Sequence, residues 1–133
     1  MRKTVYSVLI VAMAGLPLSG CANFFGIGSY SSKVNYHDTK WCVPRKLKRV
    51  LNRVSHRYGT VTVHSTKRWW LENWRKGGAR DSYHLRCQAV DFSVRGNPES
   101  VLAFLRAQRE VGGYSYYKRT GHYHIDTGPR RTW

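Results

Sequence analysis

Acidic side chains are scarce in this chain. It carries 7 Asp and Glu against 23 Lys and Arg, a formal net charge of +16. So lopsided a balance draws a protein toward anionic surroundings by long-range attraction. Long apolar runs are missing too. The run from Val8 to Leu18 is interrupted by Gly15 and Pro17, and it is too short for a transmembrane anchor. With only three cysteines, at most one disulfide can form within the chain. Neither repeats nor low-complexity tracts occur, and 133 residues make one domain with a modest core.

What the amino terminus does contain is an export signal. Arg2 and Lys3 precede the apolar run, and Leu18-Ser-Gly-Cys21 closes it with small residues before a cysteine. That pattern reads as a secretory signal over residues 1–20, and its end resembles a bacterial lipobox with Cys21 as the lipidation site. Ala22, in place of an Asp, favours the periplasmic face of the outer membrane. Loss of residues 1–20 leaves 21 basic against 7 acidic side chains. In a cell envelope their counterparts are peptidoglycan carboxylates and lipid phosphates. Without the signal, nucleic acid would be the first partner to consider; with it, none is expected. A lipid on Cys21 leaves Cys42 and Cys87 as an even pair in an oxidising compartment. Their disulfide would close a long loop, worth roughly 3–4 kcal/mol by loop-closure entropy. The competing reading makes Cys87 a metal ligand.

Residues 21–40, rich in Gly, Ser, Asn and Tyr without apolar periodicity, read as a tether. The domain is expected over 41–133. Pro44 suits a helix start, and Leu47, Val50, Leu51, Val54 and Tyr58 follow helical spacing up to Gly59. Thr60 to His64 alternates as a strand. Trp69, Trp70 and Trp74 lie one turn apart on a short helix to Arg75, a spacing more usual for core than for a binding platform. Asn97-Pro-Glu opens a helix to about Arg109, and Tyr114–Tyr117 forms a hairpin with the strand that follows. The order of elements indicates a small single α+β domain, an antiparallel sheet with flanking helices.

Two stretches carry the chemistry. In Gln88 to Val94, Ala89, Asp91 and Ser93 share one face of a strand, and Val90, Phe92 and Val94 the other. Asp91 needs a partner, because an unpaired buried carboxylate is costly. In Gly121-His-Tyr-His-Ile-Asp126, His122, His124 and Asp126 share a face. Two such strands side by side bring His84, Asp91 and His124 together. Two imidazoles, a carboxylate and a position left for water form the donor set of a catalytic zinc site. His64 is a weaker candidate for a fourth ligand, since a lone strand histidine is more often structural.

At these residues the sequence resembles the peptidase M15 group of zinc D-Ala-D-Ala carboxypeptidases and murein peptidases. Ser82, His84, Ala89 and Asp91 match its Ser-x-His-x-x-Gly-x-Ala-x-Asp pattern, and His122-Tyr-His124 its His-x-His form. The resemblance runs from about Cys42 to Trp133. It implies the fold shared with Hedgehog-type domains, bound Zn2+, and peptidoglycan stem peptides as substrate, cleaved by carboxypeptidase or endopeptidase action. It also implies that Arg68 holds a substrate carboxylate, as a guanidinium fork suits one. Cys87 stands where the pattern has Gly, and Gly121 where many members carry an acid. His122 is therefore expected in its place, as base or as a stabiliser of the developing oxyanion, and Asp126 is expected behind the ligands, orienting an imidazole. A monomer is expected, tied to the membrane by its lipid. The alternatives are an envelope protein that binds zinc or peptidoglycan without cutting, and a cationic protein that binds nucleic acid or anionic lipid through charge.

Overall fold

The computed structural model describes residues 32–133, so the export signal and Cys21 lie outside the described residues. The described residues form six strands and three α-helices. They are β1 (Val34–Tyr36), α1 (Arg45–Tyr58), β2 (Val61–Ser65), α2 (Trp70–Arg75), β3 (Ala89–Ser93), α3 (Pro98–Arg106), β4 (Gly113–Tyr117), β5 (His122–Asp126) and β6 (Arg131–Thr132). One sheet runs in the order β1-β2-β3-β5-β4-β6.

The centre of that sheet is antiparallel, as expected, but both edges are not. β1 pairs parallel to β2, and β6 parallel to β4, which makes the sheet mixed. β1 also falls inside the stretch read as a tether, so the folded part begins by Val34 and not at Trp41. The physical reason is that β1 has no alternation strong enough to read; Val61 N–H bonds Lys33 O at 2.9 Å and His37 N–H bonds Val63 O at 3.0 Å, and it is this backbone pairing that makes it a strand.

Period and packing agree for the helices. α1 buries Leu47, Val50, Leu51 and Val54 completely and turns its bases outward. It ends at Gly59, whose φ of 91° suits a residue without a Cβ. α3 starts where the Asn97 side chain accepts from the N–H groups of Glu99 and Ser100, a capping arrangement worth about 1 kcal/mol. It stops at Arg106, three residues earlier than its pattern suggested. Both helices cover one face of the sheet, where Val61, Val63, Val90, Phe92, Tyr123 and Ile125 join their stripes in one apolar cluster. Burying each such side chain contributes about 1.5–3 kcal/mol.

The opposite face is left for polar groups, and the strand period puts them there. Register sets Asp91 opposite His124 and Ala89 opposite Asp126. A turn of 3-10 helix, Tyr83–Arg86, brings His84 over this face. Cys87, the residue that follows this turn, is joined by a disulfide to Cys42, just ahead of α1, which removes Cys87 from the candidate ligands. α2 departs from expectation. Trp70 and Trp74, and Trp69 just before the helix, are not core: they are exposed, because among the described residues no element buries them.

Candidate metal centre

His84, Asp91 and His124 are all buried, and one ligand atom from each lies within 4.8 Å of the others; among the described residues they are the one such group. Burial at 1%, 2% and 6% exposure demands that each polar atom find a partner. His84 Nδ1 lies 2.7 Å from Thr66 O. A carbonyl oxygen can only accept, so Nδ1 carries the proton and Nε2 has a lone pair. That nitrogen points inward, 3.2 Å from Asp91 Oδ1 and 3.2 Å from His124 Nδ1. His124 repeats the logic on the other side. Its Nε2 faces Asp126 Oδ2 at 3.1 Å and donates to it, while Nδ1 lies 2.8 Å from Asp91 Oδ1.

Three acceptor atoms thus converge on one point. Such a cluster repels itself unless a proton or a cation sits within it. Burial pushes the Asp91 carboxyl up, but bonds and charge from His124 and His84 outweigh burial and hold it far below the usual carboxylate range. Burial pulls His124 down, and the bonds and negative charge of Asp126 and Asp91 reverse this and raise it. The donor set, two imidazole nitrogens and one carboxylate oxygen with outer groups fixing both rings, fits a divalent cation of the zinc type.

Asp126 is fully buried and is the anchor behind the centre. It accepts from Gly113 N–H at 2.9 Å, Gly128 N–H at 2.8 Å and Arg131 Nη2 at 2.7 Å, besides His124. Burial raises its pKa, and these bonds more than reverse the effect. Gly113 has to be glycine, since a Cβ there would lie 2.4 Å from Asp126 Oδ2.

Arg68 stands at the centre as well, though not free. Its guanidinium donates to Asp91 Oδ2 and, through Nε, to Ser65 Oγ at 3.2 Å. Asp91 therefore divides its oxygens, one toward the imidazoles and one toward the guanidinium. His122 lies at the rim, half-buried, its ring 6.1 Å from that of His64 and 5.3 Å from Tyr117. Burial, the largest influence, lowers its pKa, so it is neutral and able to accept a proton near pH 7. His64 is exposed, bonded to Ser93 Oγ at 2.8 Å, and stays outside the trio.

Two cavities meet at the centre. One, of about 590 Å³, touches His84 and His124. The other, of about 860 Å³, touches Asp91 and His122. Arg68, Gly77, Gly78 and Tyr117 line both.

Two residues at the site went unread in the sequence. Asp38 lies in the supposed tether, yet its Oδ2 accepts from Thr66 N–H at 2.8 Å and Thr66 Oγ1 at 3.0 Å. It thereby holds the carbonyl that orients His84. The available signal was its rarity: it is the sole acid before Glu72. Trp133 has its ring 5.2 Å from that of His124, and its carbonyl accepts from Ser115 Oγ at 2.5 Å. No spacing rule links it to the motif.

Comparison with known proteins adds the following. The sequence model of the family described as Peptidase M15 matches residues 25–126. Over 58 residues the chain is 41% identical to the Peptidoglycan L,D-endopeptidase MepK of Escherichia coli (strain K12), covering 44% of this chain and 32% of that protein. Over 58 residues it is 38% identical to the Probable peptidoglycan L,D-endopeptidase MepK of Haemophilus influenzae, covering 44% of this chain and 31% of that one. The match thus spans about a third of these relatives' length. No solved structure matches the chain.

Proposed function

The chain belongs to the peptidase M15 family, and from that premise we propose that it is a zinc-dependent peptidoglycan peptidase acting as an endopeptidase on stem peptides. The observation that carries the metal dependence is the convergence of His84 Nε2, His124 Nδ1 and Asp91 Oδ1, three acceptors with no proton of their own to share. Endopeptidase action draws support from two sources. Two cavities border the centre, one at His84 and His124 and the other at Asp91 and His122, which gives room for an extended peptide. The curated relatives are named for cleaving L,D bonds.

The residues divide the work. His84, Asp91 and His124 would hold the cation, with Thr66 and Asp126 fixing the two rings. Bound there, a cation would supply an acidified water, of pKa about 7, and polarisation of the scissile carbonyl. His122, neutral and set in the cavity wall, takes the proton of the attacking water and delivers it to the leaving nitrogen as the C–N bond breaks. Arg68 donates to Asp91 Oδ2 and turns its remaining N–H donors to a carboxylate of the peptide. Export to the envelope through Cys21 belongs to the same proposal, and the Cys42–Cys87 disulfide suits an oxidising compartment.

Incubation of the zinc-loaded chain with purified sacculi, followed by mass analysis of released peptides, tests the reading. Cleavage at an L,D bond, stopped by chelator and absent from His84→Ala, is the expected result. Release of a terminal D-Ala alone would establish a carboxypeptidase instead. Bound zinc with no released peptide would leave an envelope binding protein.

A further inference from the structure

Away from the metal centre, the chain leaves its largest apolar side chains in solvent. Trp41, Trp69, Trp70 and Trp74 are each between 67% and 73% exposed, and Leu71 is 40% exposed. So many large apolar side chains exposed within and around one short helix mark an interaction surface, since each indole left in water forgoes a large burial gain. Trp70 and Trp74, four residues apart on α2, wall a cavity of about 370 Å³ together with Leu71 and Leu85. Lys67 Nζ sits 4.1 Å from the ring centre of Trp69 and 5.5 Å from that of Trp41, which ties those two indoles to the same side.

Cations surround the patch. Lys67 lies among the indoles, Arg80 lines the cavity, and Arg75 and Lys76 line the next cavity along. The acid within α2, Glu72, is neutralised by Lys76 at 2.7 Å. We propose that this surface docks on the interface of a bilayer rich in anionic phospholipid. Indoles settle where one end is apolar and the other wet, at the headgroup level of a membrane. Lysine and arginine beside them meet lipid phosphates.

A sugar chain is the competing occupant of an aromatic surface, and the chemistry of the rim disfavours it. Lysine and arginine are donors only, matched to phosphate oxygens that only accept. Sugar hydroxyls need acceptors as well, and the one side-chain acceptor in the cavity lining, Asn73 Oδ1, is buried away from solvent. Among the described residues no helix is long and apolar enough to cross a membrane, so α2 would lie on the bilayer. Gly77 and Gly78 join the patch to the cleft, so docking would hold the cleft mouth beside the lipid surface. None of this rests on the peptidase reading.

Indole fluorescence of the full chain gives the test. All five tryptophans lie at or beyond Trp41, so their emission reports on the domain and not on the amino-terminal apolar run. With vesicles of phosphatidylglycerol and phosphatidylcholine carrying brominated acyl chains, the emission should shift to the blue and be quenched. Trp70→Ala/Trp74→Ala should lose most of that quenching with an unchanged far-UV spectrum. Lys67→Gln/Arg80→Gln, which keeps every indole, should weaken binding roughly 30-fold, the share of two cations near an anionic surface. Vesicle-bound chain with unquenched indoles overturns the proposal, as does equal quenching by vesicles of phosphatidylcholine alone. So does emission that responds to peptide-free glycan strands but not to vesicles.

Discussion

Asp38 shows how far from the chemistry a residue can act. It holds Thr66, Thr66 holds His84, and His84 forms one side of the centre. Burial raises the Asp38 pKa, but bonds from Thr39 and Thr66 outweigh it and leave the group below its ordinary value. A folded-state pKa below the unfolded one contributes stability above the unfolded value, near 4, and loses it as pH falls through the folded value. Asp38→Asn should therefore cost about 1 kcal/mol at neutral pH. The gap in urea midpoints between the two proteins should close on acidification below about pH 4; a gap that stays constant to pH 2 would show that the charge is irrelevant. His122 is the opposite case. Its face of β5 was readable, but its distance from the ligands depended on how β5 lies against its neighbours.

At the scale of elements, two turns explain departures from the family pattern. Cys87 ends the Tyr83–Arg86 turn at φ 55°, a left-handed conformation in which glycine is at ease and other residues cost about 1–2 kcal/mol. The disulfide to Cys42, 45 residues away, holds it there. Serine at both positions should destabilise the domain by about 2–5 kcal/mol. Cys42→Ser/Cys87→Gly should recover about 1 kcal/mol of that loss, as read from denaturant midpoints. If the two double variants prove equally stable, backbone strain at position 87 is not the reason. Gly121, at φ 69° in the turn before β5, occupies the position where an acid was looked for. An acid there would adopt a strained backbone, which fits a role for His122 in its place.

For the whole molecule, the candidate metal centre would, if it holds a cation, also staple the fold. β3, β5 and the Tyr83–Arg86 turn each contribute a ligand. A cation that binds this arrangement and not the unfolded chain stabilises by mass action, about 4 kcal/mol at a thousandfold excess over Kd. Zinc should then raise Tm by on the order of 20 °C, and chelator should return it. His84→Ala should abolish the shift. Protons compete for the same lone pairs, so the shift should shrink as pH falls toward 5. No dependence of Tm on zinc in the parent chain would remove the metal from the account.

Much of this was written in one dimension. Period two in β3 and β5 set Asp91 and His124 on the polar face and Val90, Phe92, Tyr123 and Ile125 on the other, because alternation follows from backbone geometry alone. Period 3.6 in α1 assigned its buried stripe for the same reason. Only the tertiary structure decided what depends on neighbours far along the chain. The backbone of β2 made a strand of β1, the carboxylate of Asp38 reached across 28 residues to Thr66, and no described element came to cover the tryptophans of α2. Spacing states which side chains share a face; whether that face meets protein, water or another surface is settled by packing.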